Sequence, residues 1–122
     1  MNDLDRLFLL PGKVMDFTSA RARALGANLA HASQPGYRRN DVDFAVLAKA
    51  ARDEHGHKEG ALAKVHPTAE LDTKTPVGAD GSNVDYEREQ IEIEKNALLH
   101  ELAAFMVQGR VSTLKSAIRG QA

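Results

Sequence analysis

The sequence predicts a mainly α-helical protein in which long N- and C-terminal helices pack as an antiparallel coiled-coil-like pair, joined by a short irregular or β-hairpin arm. Apolar residues recur at three- and four-residue steps near both ends, which is the pattern of helices with one buried face. Glycine and proline concentrate in residues 52–83, where they interrupt regular structure. The expected organisation is a helix, turn and extended segment in 1–48, a variable arm in 49–83 and a long helix in 84–122, as one structural unit.

The N-terminal helix is expected to run from about Pro11 to Ser33. Pro11-Gly12 should separate it from a short helix in residues 1–10, since proline is tolerated in a first turn but not in a helix interior. After it, Gln34-Pro35-Gly36-Tyr37 predicts a helix stop and a type II turn. Ala45–Ala48 then suggests one or two helical turns.

The C-terminal helix is expected to follow the turn at Asp80–Asn83, with Asp85 capping its N-terminus. From there one long helix should reach about Ile118. Its most regular apolar stripe has seven-residue spacing of the coiled-coil type; it consists of Ile91, Leu98, Leu102 and Phe105. Further apolar residues on other faces, such as Leu99 and Met106, indicate packing between subunits.

Composition excludes several kinds of chemistry. The formal net charge is −1, so the chain lacks the basic excess of non-specific nucleic-acid binders. Without cysteine it has no disulfide and no thiolate ligand. The start has neither the basic region nor the long apolar run of a cleaved leader. We therefore expect no enzyme activity, cofactor, nucleic-acid partner or small-molecule substrate.

Histidines offer the one candidate for metal chemistry. His55 and His57 flank a glycine, and His66 follows downstream. Metal sites need fixed geometry and supporting residues, which this spacing alone does not provide. Solvated loop histidines are the favoured interpretation, and a metal-dependent enzyme is the alternative.

Four segments, in order, resemble the motifs of flagellar rod, hook and hook-associated proteins. Their positions are Ala27–Arg38, Asn40–Phe44, Asp80–Glu89 and Gly109–Gly120. The first is similar to the A-N-N-I-A-N-x-x-T-P-G-Y signature shared by the whole family. The last is similar to G-R-x-S-x-L-R-S-A-I-R-G, which narrows the resemblance to the proximal-rod group. The family turn motif falls on Asn28, Pro35, Gly36 and Tyr37.

The resemblance implies a structural subunit of the proximal rod, assembled into a helical tube that carries torque from the motor ring to the hook. It implies a location in the basal body within the periplasmic space, reached by flagellar type III export without a cleaved leader. The implied partners are other copies, other rod proteins, the ring-junction protein and export-gate components. Phe44 is the implied export-gate recognition residue.

On this interpretation two sets of residues make the contacts. The expected intrasubunit seam consists of Val14, Leu25, Leu29, Ile91, Leu98, Leu102 and Phe105. The expected contacts between subunits are made by Leu99, Met106, Val111, Leu114 and Ile118. The alternatives are a small helical partner-binding module, acting as a regulator or export chaperone, and another rod subtype.

Overall fold

Two long terminal helices pack against each other and carry a small arm between them. The structure, a computed structural model, describes residues 3–53 and 58–120. Its elements are α1 (Asp3–Ala30), β1 (Asn40–Val42), α2 (Ala45–Ala51), α3 (Lys58–Lys64), β2 (Ala69–Leu71) and α4 (Tyr86–Ile118). The predicted fold class is confirmed.

The predicted division of the first helix at Pro11-Gly12 is wrong, because α1 continues through Pro11. Proline has no N–H to bond the carbonyl four residues earlier, which belongs to Leu7. Arg110 of α4 donates a hydrogen bond to that carbonyl instead. The side chain of Pro11 is also buried. Burial and the replacement bond together compensate for what proline removes from the helix.

The two long helices run antiparallel. Asn28, near the end of α1, lies 3.3 Å from the Glu89 carboxylate at the start of α4. Further along α4, Asn96 Nδ2 donates to the Thr18 carbonyl at 2.8 Å. The contacts therefore run in opposite chain order along the two helices.

The seam on α4 is polar and small, so the predicted apolar seam is wrong for this helix. The buried residues of α4 are Glu89, Asn96 and Ala103. Glu89 is tolerated there because Asn28 and Arg39 donate to its carboxylate, and Asn96 is held by the bond from its Nδ2 to the Thr18 carbonyl. Burying a polar group is costly without such partners. The apolar pattern of the sequence carries no information about these hydrogen-bond partners. It therefore predicted the wrong face of α4 as the buried one.

The stripe predicted to form the seam instead faces away from α1. Ile91, Leu98, Leu102 and Phe105 are 52%, 67%, 59% and 69% exposed. An α-helix turns through about 100° per residue, which places these positions on the face opposite the buried ones.

On α1, the predicted seam residues lie inward to different degrees. Leu25 is fully buried, whereas Val14 and Leu29 are half-buried. Val14 packs against the small core that lies between α1 and the arm. That core consists of Phe17, Val42, Leu47, Ala50 and Leu62.

In the structure the arm is the whole segment between α1 and α4, residues 31–85. It contains an antiparallel two-stranded ribbon in which Asp41 of β1 pairs with Glu70 of β2. The two strands are separated in sequence by α2 and α3, so they do not form a tight hairpin. The predicted helical turns at Ala45–Ala48 are confirmed as α2, whereas α3 was not anticipated.

Both helix boundaries next to the arm follow local sequence signals. Tyr37 N donates to the Gln34 carbonyl and Gly36 has φ of 76°, which confirms the type II turn. Asp85 accepts hydrogen bonds from the backbone of Glu87 and Arg88, which confirms the predicted N-cap.

Within the described part of the chain, no helix, long or short, combines the length and apolarity needed to cross a bilayer.

Candidate functional site

A buried arginine joins the arm to α4. The Arg39 side chain is 3% exposed, and its Nε donates to Glu89 Oε1 at 2.6 Å. Its Nη1 donates to Asp72 Oδ2 at 2.7 Å, and its Nη2 lies 3.3 Å from Asp41 Oδ2. Charge-assisted bonds of this kind are stronger than neutral ones. Arg39 thus holds three carboxylates that come from separate parts of the chain.

A second arginine joins α1 to the same carboxylates. Arg21 Nε donates to Asp41 Oδ1 at 2.8 Å, and its Nη2 donates to Glu92 Oε2 at 2.8 Å. Asp41 therefore bridges the two arginines. We call the set Arg21, Arg39, Asp41, Asp72, Glu89 and Glu92 the arginine network.

Two asparagines extend the network to the backbone. Asn28 Nδ2 donates to the Asn40 carbonyl at 2.7 Å, and Asn28 Oδ1 accepts from Asn40 N at 2.9 Å. Asn83 Oδ1 accepts from Arg39 N at 2.7 Å, and its Nδ2 donates to the Asp72 carbonyl at 3.1 Å. Each asparagine thereby holds an extended segment in a fixed position beside the helices.

The electrostatics keep the network ionised. Burial alone would lower the pKa of Arg39, but its bonds to Glu89 and Asp72 raise that pKa above its usual value. Burial would raise the pKa of Asp72, but bonds from Thr75 and Arg39 hold it well below its usual range. The Asp41 pKa is likewise lowered by Arg21 despite burial.

Paired, ionised carboxylates of this kind suit a structural role. Arg21 also lowers the Glu92 pKa through its hydrogen bond. A general acid or base at neutral pH needs a pKa close to 7, and these shifts move the carboxylates away from it. The network therefore serves to connect α1, the arm and α4.

The opposite face of α4 offers an assembly surface. We call Ile91, Leu98, Leu102 and Phe105 the outer stripe; all four are large, apolar and more than half exposed. Contiguous apolar patches on a small protein mark interaction sites. The stripe spans two heptads of a rigid helix, which is the arrangement that helix-to-helix packing uses.

Comparison with known proteins gives the family. No family model matches the chain. The chain is 32% identical over 125 residues to the flagellar basal body rod protein FlgB of Aquifex aeolicus, covering 98% of both chains. It is 32% identical over 109 residues to the protein of that name from Cereibacter sphaeroides, covering 83% of this chain and 84% of that one. The chain belongs to the FlgB family. With the Aeromonas hydrophila FlgB it shares 24% identity over 126 residues, 96% of each chain.

The turn motif of this FlgB-family chain joins two distant segments. Gly36 N donates to the Asp80 carbonyl at 2.9 Å. A Cβ added to Gly81 would lie 3.5 Å from the Gly36 α-carbon, and Gly81 itself has φ of 80°. His31 donates from Nδ1 to the Ala27 carbonyl at 2.7 Å, close to the C-terminal end of α1.

Sequence reasoning missed the arginine network. Arg39 and Glu89 both lie within or beside the family segments, but they are fifty residues apart. No local spacing rule pairs two charges at such a distance. The one available signal was charge distribution, with arginines early in the chain and carboxylates late.

The other predicted site residues have varied surroundings. Leu99, Met106 and Ile118 are exposed, whereas Val111 and Leu114 are half-buried. These five stay predicted contacts between subunits. Phe44 is half-buried, with its ring 5.5 Å from that of Phe17 in an edge-on contact.

Of the three histidine candidates, only His66 lies within the described part of the chain. His55 and His57 lie outside the described residues, and His66 is exposed. In residues 3–53 and 58–120, no group of three His, Cys, Asp or Glu side chains is placed to hold a metal ion.

Proposed function

We propose that this FlgB-family chain is a structural subunit of the proximal rod, which assembles into a helical tube and transmits torque from the motor ring to the hook. The observation that carries the proposal is the outer stripe, exposed in a chain that matches flagellar basal body rod proteins over nearly its whole length. A drive shaft needs contacts distributed along rigid elements, and α4 supplies one long face.

Burial of the stripe would supply assembly energy. Completing the burial of half-exposed large side chains contributes roughly 1–2 kcal/mol for each. Four such residues on one helix therefore yield a gain comparable with the net stability of a small domain. The predicted seam residues Ile91, Leu98, Leu102 and Phe105 are thus reassigned to contacts between subunits.

The arginine network supports the same role from inside the subunit. It ties the arm to both long helices through ion pairs that connect α1, β1 and α4. A subunit under torque must resist sliding of one helix past another. Buried, directional ion pairs fix register better than apolar contacts, which tolerate sliding.

Partners and location follow as parts of the proposal. We expect contacts with copies of the chain, other rod proteins, the ring-junction protein and export-gate components. We expect a place in the basal-body rod within the periplasmic space, after type III export without a cleaved leader. Phe44 remains the proposed export-gate recognition residue, and because it packs on Phe17 it would be presented only by a chain not yet folded.

The function is tested by deletion and complementation in a motile bacterium that encodes this chain. We expect the deletion to lack rods and swimming, and the unmodified chain to restore both. The Leu98→Asp/Leu102→Asp variant should be exported and folded but fail to restore rods, because it places two charges on the outer stripe. Leu71→Asp is the matched control, since Leu71 on β2 is 62% exposed but lies off the stripe.

Two results would contradict the proposal. Normal rods in the deletion strain would remove the rod function and favour a helical partner-binding module. Full rescue by Leu98→Asp/Leu102→Asp would leave the rod function standing but remove the outer stripe as its assembly surface.

A further inference from the structure

A second surface on the chain has the shape and chemistry to receive the outer stripe. A groove of about 430 Å³ lies between α1 and α4. Small residues form its α1 wall, namely Ser19, Ala22 and Gly26, and Ile93, Ala97 and His100 form its α4 wall. Small side chains let another helix approach closely. A Cβ at Gly26 would meet no described atom within 4 Å, so this wall is open.

One of the residues that line this α1–α4 groove carries an unsatisfied polar atom. Asn96 lines the groove and is 4% exposed. Its Nδ2 donates to the Thr18 carbonyl, but its Oδ1 accepts no hydrogen bond from any part of the chain that the structure describes. Buried acceptors without partners are rare in folded proteins. An occupant that brings a hydrogen-bond donor as well as apolar surface would satisfy this acceptor.

Charges beside the two surfaces are complementary. Arg23, next to Ala22, is exposed on the α1 side of the groove. Glu94 and Glu101 are exposed and lie seven residues apart beside the outer stripe. Lys95 lies on the other flank of the stripe, and its side chain is 65% exposed. Its ammonium group is a hydrogen-bond donor of the kind that Asn96 Oδ1 lacks as a partner. An entering stripe whose Glu94 flank faces α1 would set these carboxylates near Arg23.

We propose that the outer stripe of one copy packs into the α1–α4 groove of the next copy. This inference rests on the proposed function, and it names the surfaces through which that function operates. The two surfaces differ, so the contact is heterologous. Repeated heterologous contacts generate rings or open helical filaments, which is the kind of assembly that a tubular rod requires.

The test uses the absence of cysteine from the chain. Two singly substituted copies, Gly26→Cys and Leu102→Cys, are co-expressed in cells lacking the unmodified chain, and basal bodies are oxidised and purified. We expect a disulfide-linked dimer that contains one copy of each variant. Leu71→Cys in place of Leu102→Cys is the control and should give no dimer with Gly26→Cys.

A second variant tests the groove by filling it. Gly26→Trp places a large side chain where the stripe would enter, and the open space at Gly26 leaves the subunit able to fold. We expect loss of swimming with normal circular dichroism of the purified subunit. Gly60→Trp on α3, where an added Cβ also meets no described atom, is the matched control and should swim.

Several outcomes would overturn the inference and are distinguishable from failure of the proposed function. Assembled rods without the mixed dimer, swimming by Gly26→Trp cells, or a dimer formed by Leu102→Cys alone would each exclude stripe-in-groove packing. A cysteine can also be introduced into another rod protein. A disulfide between that cysteine and Leu102→Cys would exclude a second copy of this chain as the partner of the outer stripe. Unimpaired swimming in the deletion strain would instead remove the rod function itself.

Discussion

Arg110, in the second half of α4, donates a hydrogen bond to the backbone carbonyl of Leu7 in α1. That carbonyl is the one that Pro11 leaves without its helical partner, because proline has no N–H to donate. The contact couples an irregularity in one helix to a long side chain from the other. It links the two ends of the chain, and it accounts for a helix that continues through proline.

Replacing Arg110 should destabilise the subunit. Arg110→Met removes the donor but keeps most of the side-chain length, so the Leu7 carbonyl loses its partner. We expect a loss of about 1 kcal/mol in the free energy of unfolding, the usual value for one hydrogen bond. Urea denaturation of the purified subunit measures it.

The effect of Arg110→Met should depend on Pro11. In a Pro11→Ala background the new backbone N–H can bond the Leu7 carbonyl, so Arg110 is no longer its only donor. We expect Arg110→Met to have a smaller effect there than in the unmodified chain. A double-mutant cycle by urea denaturation tests this, and strict additivity of the two changes would show that Arg110 does not compensate for proline.

Breaking the arginine network at its centre should be severe. Glu89 is fully buried, and Glu89→Gln removes its charge. The Arg39 guanidinium then loses its closest charge partner. Removing one member of a buried pair typically costs about 3–5 kcal/mol. The matched control Glu94→Gln is exposed and should change stability by less than about 0.5 kcal/mol. Equal midpoints of thermal unfolding for the two variants would contradict a structural role for the network.

Acid should destabilise the subunit through the network's carboxylates. The pKa values of Asp72, Asp41 and Glu92 are lowered in the folded state. On acidification the unfolded chain therefore takes up protons first, near pH 4 for ordinary carboxyls (about 3.9 for Asp). Their stabilising contribution is complete above this range and is lost as pH falls through the lower folded-state values.

The acid dependence can be assigned to one residue. Asp72→Asn removes one carboxylate with a strongly lowered pKa, and Thr75 and Arg39 face that position. We expect the variant to be less stable at neutral pH and to lose less stability between pH 5 and pH 2 (about the range over which such a carboxylate titrates). An unchanged slope of unfolding free energy against pH would show that Asp72 contributes nothing to it.

Two glycines should respond in opposite directions to alanine. Gly36 has φ of 76°, a left-handed conformation that costs a residue with a Cβ roughly 1–2 kcal/mol. Gly26 lies inside α1 with open space at its Cβ, where alanine favours the helix by about 1 kcal/mol. Gly36→Ala should therefore lower the unfolding midpoint, and Gly26→Ala should raise it. Shifts of the same sign would contradict this assignment.

The sequence by itself determined the features that depend on local chemistry. Proline and glycine at positions 35 and 36 specify the type II turn, and Asp85 specifies the start of α4 by capping it. Ordered motifs at both ends determined the family, which the comparisons confirm. These signals lie within a few residues of each other or in contiguous segments, so they can be recognised without knowing which parts of the chain meet.

Only the tertiary structure decided which face of α4 turns inward. The most regular apolar stripe, with Leu98 and Leu102 at its centre, is exposed, and Glu89 is buried in its place. Burying a glutamate is favourable only when an arginine reaches it, and Arg39 does so across fifty residues of sequence. Likewise, Pro11 remains within α1 because Arg110 reaches the carbonyl that it leaves unpaired. Periodicity shows only how apolar residues are spaced along the chain. A buried charge or an interior proline is stable because of its partners, and those partners come close only when distant segments fold together.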